Sequence, residues 1–217
     1  MQFLYHPDPK TNLILTGEEH KYLFKVRRTK PNESVNIRNL KDDYLYIYKI
    51  TAINKKEAYL SLIDKKLKPN KPHKFLHIGW CIIDPKNIEK ILPSLNEIGV
   101  SKISFVYCDF SQKNFKLKLS RIEKILINSS QQCGRSDIIE IEILNSSKEF
   151  FKKYPDFYAL DFNGKEITEN INSPVLIGPE GGFSDKEKTY FTKILRLNGF
   201  ILRSETAVCS VSSKLIL

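Results

Sequence analysis

Val175-Leu-Ile-Gly178-Pro179-Glu180-Gly181-Gly182-Phe183-Ser184-Asp185-Lys186-Glu187 carries the densest structural information in the chain. A short apolar run meets a glycine-rich turn. Ser184 and Glu187 then have the S-x-x-E spacing of a capping box, in which each side chain satisfies a free backbone N–H at a helix start. The stretch reads as strand, turn, helix. Glycines at 178, 181 and 182 permit positive φ and let a ligand approach the backbone without a Cβ in the way. Pro179 stiffens the turn and removes a donor. The pattern is neither G-x-G-x-x-G nor a P-loop, because no G-K-[ST] follows. A tight turn that binds nothing would have the same composition, so further residues must decide its role.

Outward from this unit the same rhythm repeats. Apolar runs at 75–83, 103–108, 138–144, 157–162 and 200–202 are further strand candidates, with helix-length segments at 86–98, 120–132, 147–153 and 185–197 between most of them. Strands alternating with helices predict a parallel α/β sheet. Ligands of such sheets sit beyond the carboxyl ends of the strands. A second informative stretch is Phe200-Ile-Leu-Arg203-Ser204-Glu205-Thr206-Ala207, read as a strand end that delivers Arg203, Glu205 and Thr206 into the following loop. Charges exposed beside a glycine turn are poor core design and point to function; a surface salt bridge from Arg203 is the alternative.

The first seventy residues differ. Runs at 35–37, 44–50 and 58–63 are rich in β-branched and aromatic residues, and polar clusters such as Lys41-Asp42-Asp43 separate them. One helix interrupts them: Thr16-Gly17-Glu18-Glu19 has the T-x-x-E form and opens onto Tyr22, Leu23 and Val26. A small barrel-like β module is expected. The lysine-rich stretch 65–74 holds Pro69 and Pro72 and reads as a linker. The expected division is 1–70 and 71–217.

Charge follows this division. The net charge is +10 over 217 residues. Residues 1–70 carry 14 basic and 8 acidic side chains, a net of +6, and residues 71–217 carry 21 and 17, a net of +4. The N-terminal part suits a polyanionic partner through counterion release, or is simply a solvated lysine-rich surface.

Several classes drop out. Hydrophobic residues at 41% and charged residues at 28% are globular proportions. No apolar run approaches the ~18 residues needed to cross a bilayer. The start MQFLYHPDPK has no basic region followed by an apolar one, so no signal peptide is expected. Cys81, Cys108, Cys133 and Cys209 form no C-x-x-C pair, which signals neither a disulfide framework nor a zinc site. Each reads as a small buried hydrophobe in a reducing cytoplasm. His73 and His77 are denied a helix face by Pro72, so no metal is expected. Ser94, Ser184 and Ser210 lack a G-x-S-x-G context, so a serine hydrolase is not supported.

Taken together, Gly178-Pro-Glu-Gly-Gly182 and Leu202-Arg-Ser-Glu-Thr-Ala207 resemble the RsmE-type ribosomal RNA methyltransferases of the SPOUT superfamily. Three stretches agree with the resemblance: His20-Lys-Tyr-Leu-Phe-Lys-Val26-Arg27-Arg28, Asn96-Glu-Ile-Gly-Val100 and Gln131-Gln-Cys-Gly-Arg135-Ser136. It covers essentially the whole chain in the family's order.

The resemblance implies a PUA-like N-terminal β domain for RNA and a C-terminal α/β domain with a deep trefoil knot. It further implies a homodimer that uses S-adenosylmethionine to methylate N3 of a uridine in small-subunit (16S) ribosomal RNA. Alternatives on the same fold are a catalytically decayed RNA-binding ribosome-assembly factor and a methyltransferase of another RNA. Ile177, Gly178, Glu180, Gly181 and Gly182 would form one cofactor wall. Leu202, Ser204, Thr206 and Ala207 would form a second, and Leu160 beside Asp161 a third. Uracil N3 holds a proton near neutrality, so a base or a cation that stabilises the imide anion is needed. Arg203 suits the electrostatic role, and Glu205 the orienting or proton-accepting one; both could instead hold the loop in shape. Lys21, Lys25, Arg27 and Arg28 are expected RNA contacts, with 21, 25 and 28 sharing a helix face. Arg135 is either a phosphate contact or a helix-end cation.

The chain departs from the family's pattern at Ser94, where a lysine is common, and at Ile139, where a proline is common. The stretch Asp109-Phe-Ser-Gln-Lys113 lacks an expected arginine, and the last helix, 208–217, is short.

Overall fold

The computed structural model describes residues 2–31, 33–168 and 171–217, with only the backbone of Val26. Its residues form two compact units, Met1–Lys71 with Ile127–Ile138 and Pro72–Leu126 with Ile139–Leu217.

In the first unit β1 (Leu4–Tyr5), β2 (Asn12–Leu15), β3 (Ser34–Arg38), β4 (Tyr44–Ile53) and β5 (Ala58–Leu67) form one sheet in the order β1-β3-β4-β5-β2. β1 runs parallel to β3, and the other pairs are antiparallel. Alternate residues point to one face, so Val35 and Ile37 of β3 and Tyr46, Tyr48 and Ile50 of β4 reach a shared core. The buried Tyr48 hydroxyl donates to the Lys10 carbonyl at 2.6 Å, which satisfies its polar atom. β5 extends through Leu67, so the expected linker begins three residues inside a strand.

α1 (Gly17–Lys21) continues into a π-helical turn, Tyr22–Val26. The T-x-x-E capping box is not formed: Thr16 makes no side-chain cap bond. Gly17 enters at φ 54°, which takes the first residue out of helical register. Val26, expected on the apolar side, has its side chain outside the described residues.

The segment 127–138 joins this unit through hydrogen bonds rather than apolar packing alone. Gln131 accepts from the Gln2 and Tyr5 backbone N–H groups at 2.8 and 2.7 Å. Asn70 donates to the Gly134 carbonyl at 2.9 Å, and the Ser136 hydroxyl donates to Asp43 at 3.0 Å.

The second unit holds β6 (His77–Cys81), β7 (Lys102–Val106), β8 (Glu140–Leu144), β9 (Tyr158–Glu166), β10 (Val175–Ile177) and β11 (Ile194–Arg196). All pairs are parallel, in the order β11-β9-β10-β6-β7-β8. Helices α2 (Pro85–Ile98), α3 (Leu119–Cys133, of which 127–133 belong to the first unit), α4 (Ser147–Lys153), α5 (Asp185–Lys188) and α6 (Ser204–Ile216) connect or follow the strands. β6 is buried at every residue, as a central strand covered on both faces must be.

Three expectations are corrected here. The helix expected over 185–197 stops at Lys188, and the strand that follows is β11. Residues 200–202 are not a strand: Gly199 at φ 114° turns the chain, and Phe200 and Ile201 stand 94% and 82% exposed. Arg203 is consequently the N-cap of α6, and Ser204, Glu205 and Thr206 lie in its first turn rather than in a loop. Cys81 and Cys108 are joined in a disulfide, with Cα atoms 5.7 Å apart. Cys81 ends β6 opposite Val106, and Cys108 lies two residues past the end of β7, a proximity that a spacing of 27 residues does not reveal.

Candidate active site

At the carboxyl end of β10, beside the middle of β9, the second unit opens a cavity of about 430 Å³, a volume within the ~300–1,000 Å³ common to small-molecule sites. The glycine turn supplies one wall through Ile177, Gly178, Glu180, Gly181 and Gly182. Gly182 closes a turn by donating to the Pro179 carbonyl at 2.9 Å and sits at φ 71°. A Cβ at Gly178 would stand 3.2 Å from the Phe183 ring, so the turn is packed against its own helix entry. The Ser184/Glu187 capping box is formed in full.

Leu202, Ser204 and Ala207 supply the second wall. Ser204 and Ala207 are three apart at the start of α6 and share a face; at about 100° per residue the helix turns Glu205 and Thr206 away. Arg203, Glu205 and Thr206 are accordingly absent from the lining. The Ser204 hydroxyl donates to the Gly178 carbonyl at 2.6 Å and accepts from the Trp80 indole N–H at 3.0 Å. Ser204 therefore ties α6 to the glycine turn instead of offering its hydroxyl to a ligand. One Glu205 carboxylate oxygen, Oε2, is buried without a hydrogen-bond partner.

The third wall comes from an irregularity in β9. Its pairing with β11 shifts register, from Ala159 opposite Ile194 to Lys165 opposite Leu195. Leu160, Asp161 and Phe162 fall in the interval and line the cavity. Asp161 pairs with Lys188 at 3.3 Å across the lining. Lys188, Arg196, Phe200 and Ile201 are lining residues the sequence reading passed over. The exposed apolar pair at 200–201 was a usable signal, hidden by its strand-like composition.

The loop after β7 is anchored to this site. The Ser184 hydroxyl donates to the Asp109 carboxylate at 2.5 Å, and the Asp109 backbone N–H donates to Glu187 Oε1 at 3.0 Å. Glu187 is 2% exposed, so the contact is shielded from water. Among the described residues no group of three or more His, Cys, Asp or Glu side chains could hold a metal. No described helix is long and apolar enough to cross a membrane.

The expected RNA contacts lie in the first unit. Lys21, Lys25, Arg27 and Arg28 are exposed, and Lys21 pairs with Glu18 at 3.1 Å. Arg28 holds φ 56°, uncommon for a side chain with a Cβ. The π-turn closes with the Arg27 N–H donating to the Tyr22 carbonyl at 3.0 Å. Arg135 differs from them: it is 6% exposed, and its Nε donates to Asp137 at 2.9 Å. Its guanidinium is thus held inside the fold by Asp137.

An RNA methyltransferase domain model matches residues 69–216, and an RNA methyltransferase PUA domain model matches 15–63. Two Helicobacter pylori proteins named ribosomal RNA small subunit methyltransferase E are 43% and 44% identical, each over 98% of this chain and 98% of its own length. The crystal structure of a ribosomal RNA small subunit methyltransferase E from Neisseria gonorrhoeae bound to S-adenosyl methionine superposes with a TM-score of 0.83. It covers 98% of this chain and 95% of that one at 21% identity, a likeness of fold. This chain belongs to the RsmE-type RNA methyltransferase family.

Proposed function

We propose that this chain methylates N3 of a uridine in small-subunit (16S) ribosomal RNA with S-adenosylmethionine as methyl donor. The observation that carries the reading is the convergence of residues 177–182 with Leu202, Ser204 and Ala207 on one cavity, joined by the Ser204–Gly178 hydrogen bond. The lining fits the cofactor: glycine backbone for an adenosyl moiety that needs hydrogen bonds without bulk, and Leu160, Ile177, Leu202 and Ala207 for its apolar edges. Glu180, Gly181 and Gly182 offer further polar groups along the turn. The cofactor supplies an activated methyl group on a sulfonium, and the protein's share is binding, orientation and proton handling.

Arg203 stabilises the uracil imide anion. Glu205 Oε2, buried and without a partner, accepts the N3 proton or orients Arg203. Neither needs to line the cofactor cavity, because both act on the RNA base.

The N-terminal domain, 1–70, is the PUA-like RNA module, and 71–217 is the SPOUT methyltransferase domain with its trefoil knot. Lys21, Lys25, Arg27 and Arg28 contact phosphates, and Arg135 supports that surface through Asp137. The protein works as a cytoplasmic homodimer without a metal.

Calorimetric titration of S-adenosylmethionine, with mass mapping of nucleosides in small-subunit RNA with and without the gene, tests the reading. Micromolar binding and loss of N3-methyluridine in the deletion are expected. No cofactor binding would refute the enzyme. Binding with N3-methyluridine unchanged would point to another RNA.

A further inference from the structure

The loop between β7 and α3 departs from the family's pattern, and it is built around an aromatic residue. Phe110 is 55% exposed. Its Cβ lies 3.4 Å from where a Cβ on Gly181 would stand, so it leans on the glycine turn at the cavity's rim. A large apolar side chain that is half in water yet held against a glycine turn calls for a reason.

The loop is held rather than loose. Asp109 is clamped between Ser184 and Glu187. The Ser111 hydroxyl accepts from the Cys108 N–H at 3.2 Å, and the Ser111 N–H donates to the Cys108 carbonyl at 3.0 Å. Further along, the Tyr107 hydroxyl donates to the Phe115 carbonyl at 2.7 Å. Both neighbours of Phe110 are thus bonded to the frame, and its ring is presented from a fixed backbone. The same loop carries Lys113, Lys116 and Lys118 and, apart from the clamped Asp109, no carboxylate. An exposed aromatic face with cations along one strand of backbone is the composition of a single-stranded nucleic-acid platform: bases stack on the ring, and phosphates meet the lysines.

The geometry points to Phe110 as the stacking platform for the pyrimidine base presented for methylation, with Lys113, Lys116 and Lys118 holding its flanking phosphates. The inference rests on the methyltransferase reading and names a substrate-specificity residue within it. Uracil is uncharged and flat, so an aromatic face beside the cofactor cavity orients it by stacking while leaving N3, on its edge, free to react. Where an arginine would bind by charge and stacking together, Phe110 leaves the charge to the lysines.

The test uses the full-length protein with small-subunit RNA from a strain lacking the gene. Phe110→Ala should raise KM for RNA roughly tenfold or more, the scale of one lost base stack, with the S-adenosylmethionine Kd unchanged. Phe110→Tyr, which keeps the ring, should restore it, and Phe110→Leu, which keeps only apolar bulk, should not. The indole introduced by F110W should be quenched by a short uridine-containing RNA, while native Trp80 stays silent because it is buried. Normal KM for Phe110→Ala, or full rescue by Phe110→Leu, would overturn the inference while wild-type methylation leaves the enzyme reading intact. A blue shift of the F110W emission with protein concentration, and no response to RNA, would assign the ring to a contact between two copies and also overturn it. If the wild type methylates nothing, the enzyme reading fails and RNA quenching still decides whether Phe110 stacks.

Discussion

The Ser204 hydroxyl donates a 2.6 Å hydrogen bond to the carbonyl oxygen of Gly178, 26 residues earlier in the chain. Ser204 Oγ itself accepts from the buried Trp80 indole N–H at 3.0 Å. Three strand ends or helix starts are thereby locked at one atom, and the cavity between them inherits its shape from that lock.

Ser204→Ala should therefore act on both stability and binding. It leaves the Trp80 N–H and the Gly178 carbonyl without their buried partner, a cost of about 1–3 kcal/mol. Urea denaturation should show that loss, and calorimetry should show weaker S-adenosylmethionine binding because the glycine turn is no longer fixed. A variant as stable as the wild type would mean that water replaces the hydroxyl.

Gly181 and Gly182 should separate folding from binding. Gly181 is not among the left-handed glycines, and a Cβ there meets nothing closer than 3.4 Å. Gly181→Val is expected to melt close to the wild type yet lose cofactor affinity, because its branches press on Phe110 and displace the turn that forms the wall. Gly182 sits at φ 71°, so Gly182→Ala carries a backbone cost of about 1–2 kcal/mol and should lower Tm. Equal melting shifts in the two variants would argue against the proposed wall.

Arg203 and Glu205 should affect turnover and spare cofactor binding, since neither lines the cavity. Arg203→Ala should lower kcat by about 100-fold or more. Glu205→Gln removes the acceptor for the N3 proton and should cost about 100-fold, with the remaining rate rising with pH. Normal single-turnover rates would leave both residues with a role in loop shape alone.

Acid stability should turn on His77. Burial pushes its pKa down to about 4, with the Lys102 charge adding to the effect, and its ring nitrogen lies 2.8 Å from the Ser104 hydroxyl. A histidine kept neutral in the fold is protonated first in the unfolded chain. Stability is therefore undiminished above pH ~6.5 and falls as pH drops from there toward 4, by up to about 1.4 kcal/mol per unit. Glu142 continues the trend. Its burial would raise its pKa, but hydrogen bonds from Lys153, Ser104 and Tyr154 hold it at about 2, so its contribution is lost as pH falls from ~4.5 toward 2. Denaturation midpoints measured across pH 7 to 4 should show the first slope, and His77→Gln should flatten it.

The strand–turn–helix unit around 178–182 was legible because its signals are local. Positive φ at Gly182 and the Ser184/Glu187 capping box depend on residues within a few positions. The α4 boundaries were equally clear, with Ser146 capping the helix through the Glu149 N–H. Residues 200–202 were misread for the opposite reason: their composition suits a strand, but Gly199 and the cavity edge decide their conformation. The Thr16 capping box failed because Gly17 adopts a left-handed backbone that spacing alone does not disclose.

Residue order alone reveals the family, the parallel α/β character of the larger unit and the two motifs that meet at the cavity. Which side chains of those motifs face it follows from how the elements pack. α6 begins at Ser204, so helical periodicity turns Ser204 and Ala207 toward the cavity and Glu205 and Thr206 away from it. The register shift in β9 brings Asp161 into the lining, and the Asp109–Ser184 clamp, across 75 residues, sets Phe110 against Gly181. Such contacts are made by strand order and crossover packing, which bring together residues that share no local signal.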